Sequence, residues 1–241
     1  MSTAVREAFD PNEPNFASTT SKLNWLRASV LGADDGIVSM AGLVLGVAGA
    51  TSSQSVILAA GIAGLMAGAI SMAAGEYVSV SSSRDTEKAL LKKEHHELRT
   101  NPDAELLELA VIYERKGLSP KTAMIVAKEF TAHDAFAAHV DAELNIDPEN
   151  LTNPWHAAVA SAISFLLGAL IPLTAIILPP ISLRIPFTVG AVVIALAVTG
   201  VVSAKIGGAS PYRATARVVA GGVIAMAITY GVGRLFNVAG L

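Results

Sequence analysis

The chain has 241 residues, 52% of them hydrophobic and 15% charged, with a mean hydropathy of +0.53, which is a membrane protein's composition although the length would also fit one soluble domain. Its net charge of −3 selects no partner, and the absence of cysteine excludes disulfides, thiolate metal ligation and thiol catalysis without identifying a compartment. The apolar residues cluster into five runs long enough to span a bilayer: Arg27 to Ala50, Ser55 to Val80, Trp155 to Leu178, Pro186 to Ala204 and Ala214 to Phe236.

Met1 to Ser21 is polar, carries acidic residues and two prolines, and lacks the basic start and short apolar core of a signal peptide. Residues 1–22 are therefore predicted to form a disordered cytoplasmic tail. Residues 23–82 hold spans one and two, both rich in glycine. An acidic pair, Asp34-Asp35, interrupts the first, and Met72 and Glu76 lie inside the second. Burying an unpaired carboxylate in a bilayer costs at least about 2.5–3.5 kcal/mol even on the lenient insertion scale, so such residues usually mark a path for ions or protons. Asp34 and Asp35 point about 100° apart on a helix, so one faces a pathway while the other lies nearer the cytoplasmic boundary or caps a neighbour. Met72 and Glu76 share one face of span two at i,i+4. A methionine on a membrane helix is more often packing than ligand, and its alignment with Glu76 favours the second role. Carboxylates and a thioether suit a borderline divalent metal, and the carboxylates can take up protons when the metal leaves. Gly42 and Gly46, Gly64 and Gly68, and Ser71 and Gly75 are small-xxx-small pairs that let helix backbones approach closely.

The one long polar insert, Ser81 to Asn153, reads as three helices, with its metal-binding body assigned to residues 83–150. The first continues from span two to about Arg99, since no Gly or Pro interrupts Val78 to Thr100. Asn101-Pro102 supplies an N-cap and a first-turn proline for a second helix ending at Gly117, and Ser119-Pro120 repeats the device for a third running to about Asn145. Leu106, Leu109, Val111, Ile112, Ile125, Val126, Phe130, Phe136 and Val140 are the candidates for a small helical layer. Glu94 with Glu97 and Glu105 with Glu108 are i,i+3 pairs, and Glu143 lies near the end of the third helix. Facing carboxylate pairs can hold Fe²⁺ or Mn²⁺, singly or bridged, with His95, His96 and His139 as possible nitrogen donors. A solvated acidic face with interspersed lysines accounts for the same spacing equally well. The Glu-x-x-His pattern of di-iron oxidases is missing, because Glu94-His95-His96-Glu97 sets the histidines at the wrong offset and Glu129 with His133 is a four-residue spacing.

Residues 151–241 hold spans three to five, which contain no acid. Pro172 predicts a kink in span three and Pro179-Pro180 a sharp exit. Lys22, Arg27, Arg84, Lys205, Arg213 and Arg217 fall on one side of the membrane and only Arg184 and Arg234 on the other, which gives a cytoplasmic N-terminus and an outer C-terminus. No phosphate-cradling loop, nucleophile elbow or nucleic-acid module is present, so an ion gradient is the energy source a transporter of this kind would use.

Two long stretches, Gly32-Ala33-Asp34-Asp35-Gly36-Ile37-Val38-Ser39 with the following Gly42 to Ala50, and Gly68-Ala69-Ile70-Ser71-Met72-Ala73-Ala74-Gly75-Glu76-Tyr77-Val78-Ser79-Val80, resemble the first two spans of the vacuolar iron transporter family, also called the iron/manganese transporter family, of yeast vacuoles, plants and bacteria. The resemblance covers about Leu23 to Leu241 and extends to the order of two spans, acidic insert and three spans. It implies a homodimer with five spans per subunit and a path between subunits, with Asp35, Met72 and Glu76 in the lining roles. It also implies a cytoplasmic metal-binding insert in which Glu94, Glu97, Glu105, Glu108 and Glu143 match the family's acids. Where the plant pattern has methionines before the last glutamate, this chain has His139 and Val140, so the sulfur contribution is lost and manganese becomes a candidate beside iron. The segment before Leu23 is too short for the ferritin-like domain of some bacterial relatives.

The resulting expectation is an all-α integral membrane protein that exchanges Fe²⁺ or Mn²⁺ for protons and removes metal from the cytoplasm, with no permanently bound cofactor and no nucleic-acid partner. The alternatives are a membrane-tethered iron-binding oxidase or store, and a metal-sensing membrane scaffold. The compact architecture without a targeting extension favours a bacterial-type member in a prokaryotic plasma membrane; a eukaryotic one would be expected on a vacuole.

Overall fold

The computed structural model of the protein describes residues 16–239, all of whose regular elements are helices. They are α1 (Phe16–Ala50), α2 (Gln54–Thr100), α3 (Pro102–Arg115), α4 (Pro120–His139) followed by a π-helical turn (Val140–Leu144), α5 (Pro154–Ile177), α6 (Arg184–Ile206) and α7 (Pro211–Ala239). Five of these, α1, α2, α5, α6 and α7, contain stretches long and apolar enough to cross a membrane. Of the predicted tail, residues 1–15 lie outside the described residues. Residues 16–22 are already helical and correct the expectation of disorder there: after Pro14 no Gly or Pro occurs until Gly32, so nothing stops the helix of span one from extending backward.

The described residues divide into two compact units, one of residues 16–78 and 154–239 and the other of residues 79–153. In the first, α1 is the central element and packs on α5, α6 and α7. Ile37, Met40, Ala41, Val44 and Leu45 of α1 meet Phe165, Ala169, Leu173 and Ile176 of α5, Val192 and Leu196 of α6 and Met226 of α7 in one buried cluster. These α1 positions recur at helical spacing, which is how one face of a helix enters a core. The approach is close because side chains are missing at the crossings. A methyl group on Gly36 would overlap the carbonyl of Phe165, one on Gly168 would overlap the carbonyl of Ala33, and one on Gly32 would lie 2.9 Å from the carbonyl oxygen of Ser161. Farther along α1, Gly42 and Gly46 face Thr229 of α7, and Gly233 of α7 sits against the Gly46 carbonyl. On α2, Gly64 receives Leu43 and Gly68 receives the Phe165 ring. The small-xxx-small pairs of spans one and two thus serve packing, whereas Gly75 has nothing within 4 Å of an added Cβ. Helix α5 runs through Pro172 without interruption, and Pro179-Pro180 follow its end.

The second unit is built from the polar end of α2, with α3, α4 and the π turn. Helix α2 continues unbroken to Thr100, as the lack of helix breakers predicts. Pro102 occupies the first turn of α3, but Asn101 caps through its backbone carbonyl, which accepts from the amides of Ala104 and Glu105, and its side chain makes no capping bond. Ser119 caps α4 as predicted, its hydroxyl accepting from the Thr122 amide at 3.3 Å. The expected uninterrupted third helix is corrected at Asp134, whose backbone is extended and whose carboxylate accepts from the Ala137 amide at 2.9 Å. This aspartate ends one helical segment and N-caps the next, a local competition with the helix ladder that short polar side chains offer. The restarted segment passes into the π turn and stops at Asn145, which adopts the left-handed conformation.

The unit's core is Leu109, Ala110, Ala127 and Ala138, flanked by Leu106, Tyr113, Met124 and Ala142. Val111, Ile125 and Phe130, expected in that layer, are exposed. Alanines at the helix contacts let the backbones approach, and the larger residues fall on the outside.

The glycine contact at α1 and α5 sets a stability test. Gly36→Ala must push two backbones apart and is expected to cost about 1–3 kcal/mol, as overpacking does elsewhere, whereas Gly190→Ala, inside α6 with open space around it, is expected to leave stability no lower than wild type. Thermal unfolding of the purified protein in detergent checks both.

Candidate functional site

Among the described residues two constellations of chemically active side chains stand out, one in each unit. In the first, α1 sets consecutive carboxylates in different surroundings. Asp34 is half-buried and accepts a hydrogen bond from the hydroxyl of Thr199 on α6. Asp35 is exposed and lines a pocket of about 200 Å³ with Ser39, Met40 and Leu43 of α1, Gly64, Gly68, Ser71 and Met72 of α2, and Phe165 of α5. Ser39, one turn on from Asp35, donates to the Asp35 carbonyl at 2.6 Å. Asp35 and Met72 therefore share a pocket. Glu76, one turn beyond Met72 on α2, is partly exposed and is not among the pocket's lining residues. Thr199, Ser39 and Phe165 carried no signal in the sequence, since a threonine, a serine and a phenylalanine in apolar helices are ordinary.

In the second unit, Glu94 of α2, Glu105 of α3 and His139 at the end of α4 are all buried, at 3%, 7% and 0% exposure. One ligand atom from each lies within 4.8 Å of the others. The imidazole Nδ1 of His139 is 3.1 Å from Glu94 Oε1, 3.9 Å from Glu105 Oε2 and 3.6 Å from Glu143 Oε2 of the π turn. Among the described residues Nδ1, Nε2 and Glu94 Oε1 make no hydrogen bond of good geometry despite their burial, and the Nδ1–Oε1 approach is an ion-pair contact only. Buried polar atoms without hydrogen bonds are costly, so a cluster of them converging on one point is an arrangement that a bound cation would relieve. Three carboxylates and one imidazole are hard-to-borderline donors, suited to Mn²⁺, Fe²⁺ or Zn²⁺ more than to soft ions.

Local structure explains the convergence. Glu94 faces inward from a helix that Gly and Pro leave intact, Glu105 follows the Pro102 start of α3 by less than one turn, and His139 stands five residues after the Asp134 restart. The predicted pairs separate: Glu97 turns to Lys93, with an ion pair of 2.8 Å, and Glu108 is exposed. His95 and His96 are exposed, His95 with its ring 5.1 Å from that of Phe136.

Burial raises the Glu94 carboxyl above the ordinary carboxylate range, the neighbouring charge of Glu143 raises it further, and His139 offsets part of this. Glu105 is raised by burial first and by Glu108 second.

A five-span helical bundle with a carboxylate and a thioether on one pocket, joined in sequence to a buried Glu-Glu-His cluster that the exposed Glu143 borders, defines an integral membrane protein equipped to handle cations. The VIT family profile matches residues 26–234, and the chain belongs to that family. Relatives include a vacuolar iron transporter of Acanthamoeba castellanii, 44% identical over 225 residues, covering 90% of this chain and 81% of that protein. Vacuolar iron transporter homolog 5 of Oryza sativa subsp. japonica is 37% identical over 92% of this chain and 85% of its own length. Vacuolar iron transporter homolog 1 of Arabidopsis thaliana is 34% identical, with coverage of 90% and 86%. These relatives are named as transporters, not enzymes.

The raised carboxyls give a pH test. The native state holds the protons of Glu94 and Glu105 to higher pH than the unfolded chain does, so their contribution to metal-free stability is greatest in acid and is lost as pH rises through the raised native values. Glu94→Gln is expected to flatten that decline, and saturating Mn²⁺ to reverse it, because the ion binds the ionised carboxylates. Melting temperatures of the detergent-solubilised protein between about pH 4 and 8 check this.

Proposed function

We propose that this protein is a proton-coupled divalent-metal antiporter that moves Fe²⁺ or Mn²⁺ out of the cytoplasm. The observation that carries the reading is the pocket shared by Asp35 and Met72 within a bundle of five spanning helices. A carboxylate there supplies charge for a divalent ion and can be neutralised by a proton on the return step, and the thioether favours a borderline ion over Mg²⁺ or Ca²⁺. The iron in the relatives' names supports the substrate class.

Asp35 and Ser71 are exposed in the single chain, and Gly75 looks onto open space. A carboxylate facing lipid is unfavourable, so a second copy laid against this face would enclose the pocket. The protein is accordingly proposed to be a homodimer with its path between subunits, Glu76 continuing the lining beyond Met72. Glu94, Glu105, Glu143 and His139 form the proposed metal-collecting site, with Glu97 and Glu108 as flanking acids that deliver ions to it. The imidazole in place of sulfur supports Mn²⁺ as a cargo beside Fe²⁺. The excess of Lys and Arg on one side supports a cytoplasmic N-terminus and insert. The membrane is that of the vacuole in a eukaryotic cell, as in the relatives' names, or the plasma membrane in a prokaryote.

Fe²⁺ and Mn²⁺ uptake into proteoliposomes with an imposed pH gradient tests the proposal. Gradient-driven flux is expected in the wild type, and Asp35→Ala is expected to reduce it at least tenfold, about 1.4 kcal/mol or more in the barrier. Replacing Glu94, Glu105, Glu143 and His139 together by alanine is expected to abolish high-affinity Mn²⁺ binding measured by calorimetry while slower flux persists. Folded protein that binds metal but passes none across the bilayer would overturn the transport reading.

A further inference from the structure

We propose that Thr199 is a positioning residue: its hydrogen bond to Asp34 fixes the rotation of α1 and thereby aims Asp35 into the pocket it shares with Met72. Consecutive residues on a helix point about 100° apart, so where Asp34 is held determines where Asp35 points. Asp34 is held from α6. Its carboxylate accepts from the Thr199 hydroxyl, the one hydrogen-bond donor to it among the described residues. On its other side Thr199 borders an apolar groove of about 490 Å³ lined by Ile37, Ile171, Ala191, Ile194, Ala195 and Val198.

The ordinary role of a membrane threonine is to return its hydroxyl to its own helix, and the Leu196 carbonyl lies 3.2 Å away for that purpose. Here the hydroxyl's single proton has the shorter contact with Asp34 across on α1, and the Leu196 carbonyl is left as the longer alternative acceptor. Thr199 makes that contact from a firmly seated position: Leu196 is fully buried, and the adjacent Gly200 packs against the backbone of Thr215 on α7, where an added Cβ would come within 2.8 Å. The bond therefore ties α1 to α6 and α7 at the level of the acidic pair, on the side of the helix away from the pocket. Glycines at positions 32 and 36 let α1 sit close on α5, and the buried side chains of Ile37, Met40 and Ala41 hold it from the core. To this non-directional packing the Thr199 bond adds a directional contact at the turn that carries Asp35.

The test has two arms. The first rests on the transport reading: Thr199→Val keeps the side chain's shape and removes the donor, and is expected to raise the KM for Mn²⁺ uptake about three- to fifteenfold, the range of interhelical hydrogen bonds in bilayers, with a smaller change in maximal rate. Thr199→Ser, which retains the hydroxyl, is expected to restore the wild-type KM. The second arm is independent of transport. The natural chain has no cysteine, so Ser39→Cys, one turn from Asp35 on the pocket wall, gives a single reporter thiol. Its rate of reaction with a water-soluble maleimide is expected to change when Thr199→Val is added and to stay unchanged with Thr199→Ser. Equal labelling of the reporter thiol in all three Thr199 backgrounds would overturn the proposal whether or not the protein transports, as would a serine variant as impaired as the valine one. A wild type without flux, together with the expected labelling pattern, would overturn the transport reading and leave the positioning role standing.

Discussion

The membrane unit depends on the backbone-to-backbone contact of α1 with α5, where Gly32 and Gly36 on one helix and Gly168 on the other leave no room for a side chain. Lipid offers apolar side chains little reason to prefer one another, so membrane helices associate through close packing and hydrogen bonds, and small residues are what make both possible. Once α1 is seated, its remaining faces are assigned. One receives α7 through Gly42, Gly46 and Gly233, and another meets α6, where Thr199 reaches Asp34. The face that is left carries Asp35 and Ser39 into the pocket with α2. The acidic pair is tolerated because the helix that bears it is held on several sides and each carboxylate has a distinct environment.

The second unit answers a different constraint. It gathers buried carboxylates without burying a matching cation, and the apolar core beside them is small. Carboxylates taken out of water oppose folding, and it is burial first and the neighbouring charges second that displace Glu94 and Glu105 upward. The geometry that holds them is local: a helix without breakers for Glu94, a proline start for Glu105, and an aspartate restart for His139. Lys93 meanwhile draws Glu97 away from the cluster, so that the four acids of the two i,i+3 pairs divide two and two.

The sequence made the spans, the unbroken α2 and the proline-marked starts of α3 and α4 readable, because twenty-residue apolar runs, missing breakers and X-Pro steps act through local sterics and solvation that neighbours seldom override. The break at Asp134 was hidden: the aspartate lacks the Glu or Gln three residues on that would advertise a capping box, having Ala137 instead. The choice among Glu94, Glu97, Glu105 and Glu108 was equally hidden, since i,i+3 spacing states that two residues are neighbours on a helix and not which of them faces the next helix. The large residues Val111, Ile125 and Phe130 suggested a core by hydrophobicity, and the alanines that occupy it are uninformative by the same measure. Asp34 could be recognised as the partnered member of its pair only once α6, more than 160 residues away, was seen beside it.

The alanine-lined core carries a further consequence. Ala110, Ala123, Ala127 and Ala138 bring α3 and α4 together with Leu109 and Val140 as the larger buried apolar side chains, so the scaffold that presents Glu105 and His139 rests on a small core. An ion held by residues from three separate helical segments would have to supply part of the ordering free energy of the scaffold out of its own binding free energy. Affinity at such a cluster is then adjustable from the far side of each helix: a better-filled core would tighten binding without touching a ligand, and a looser one would set the ion free at higher concentration.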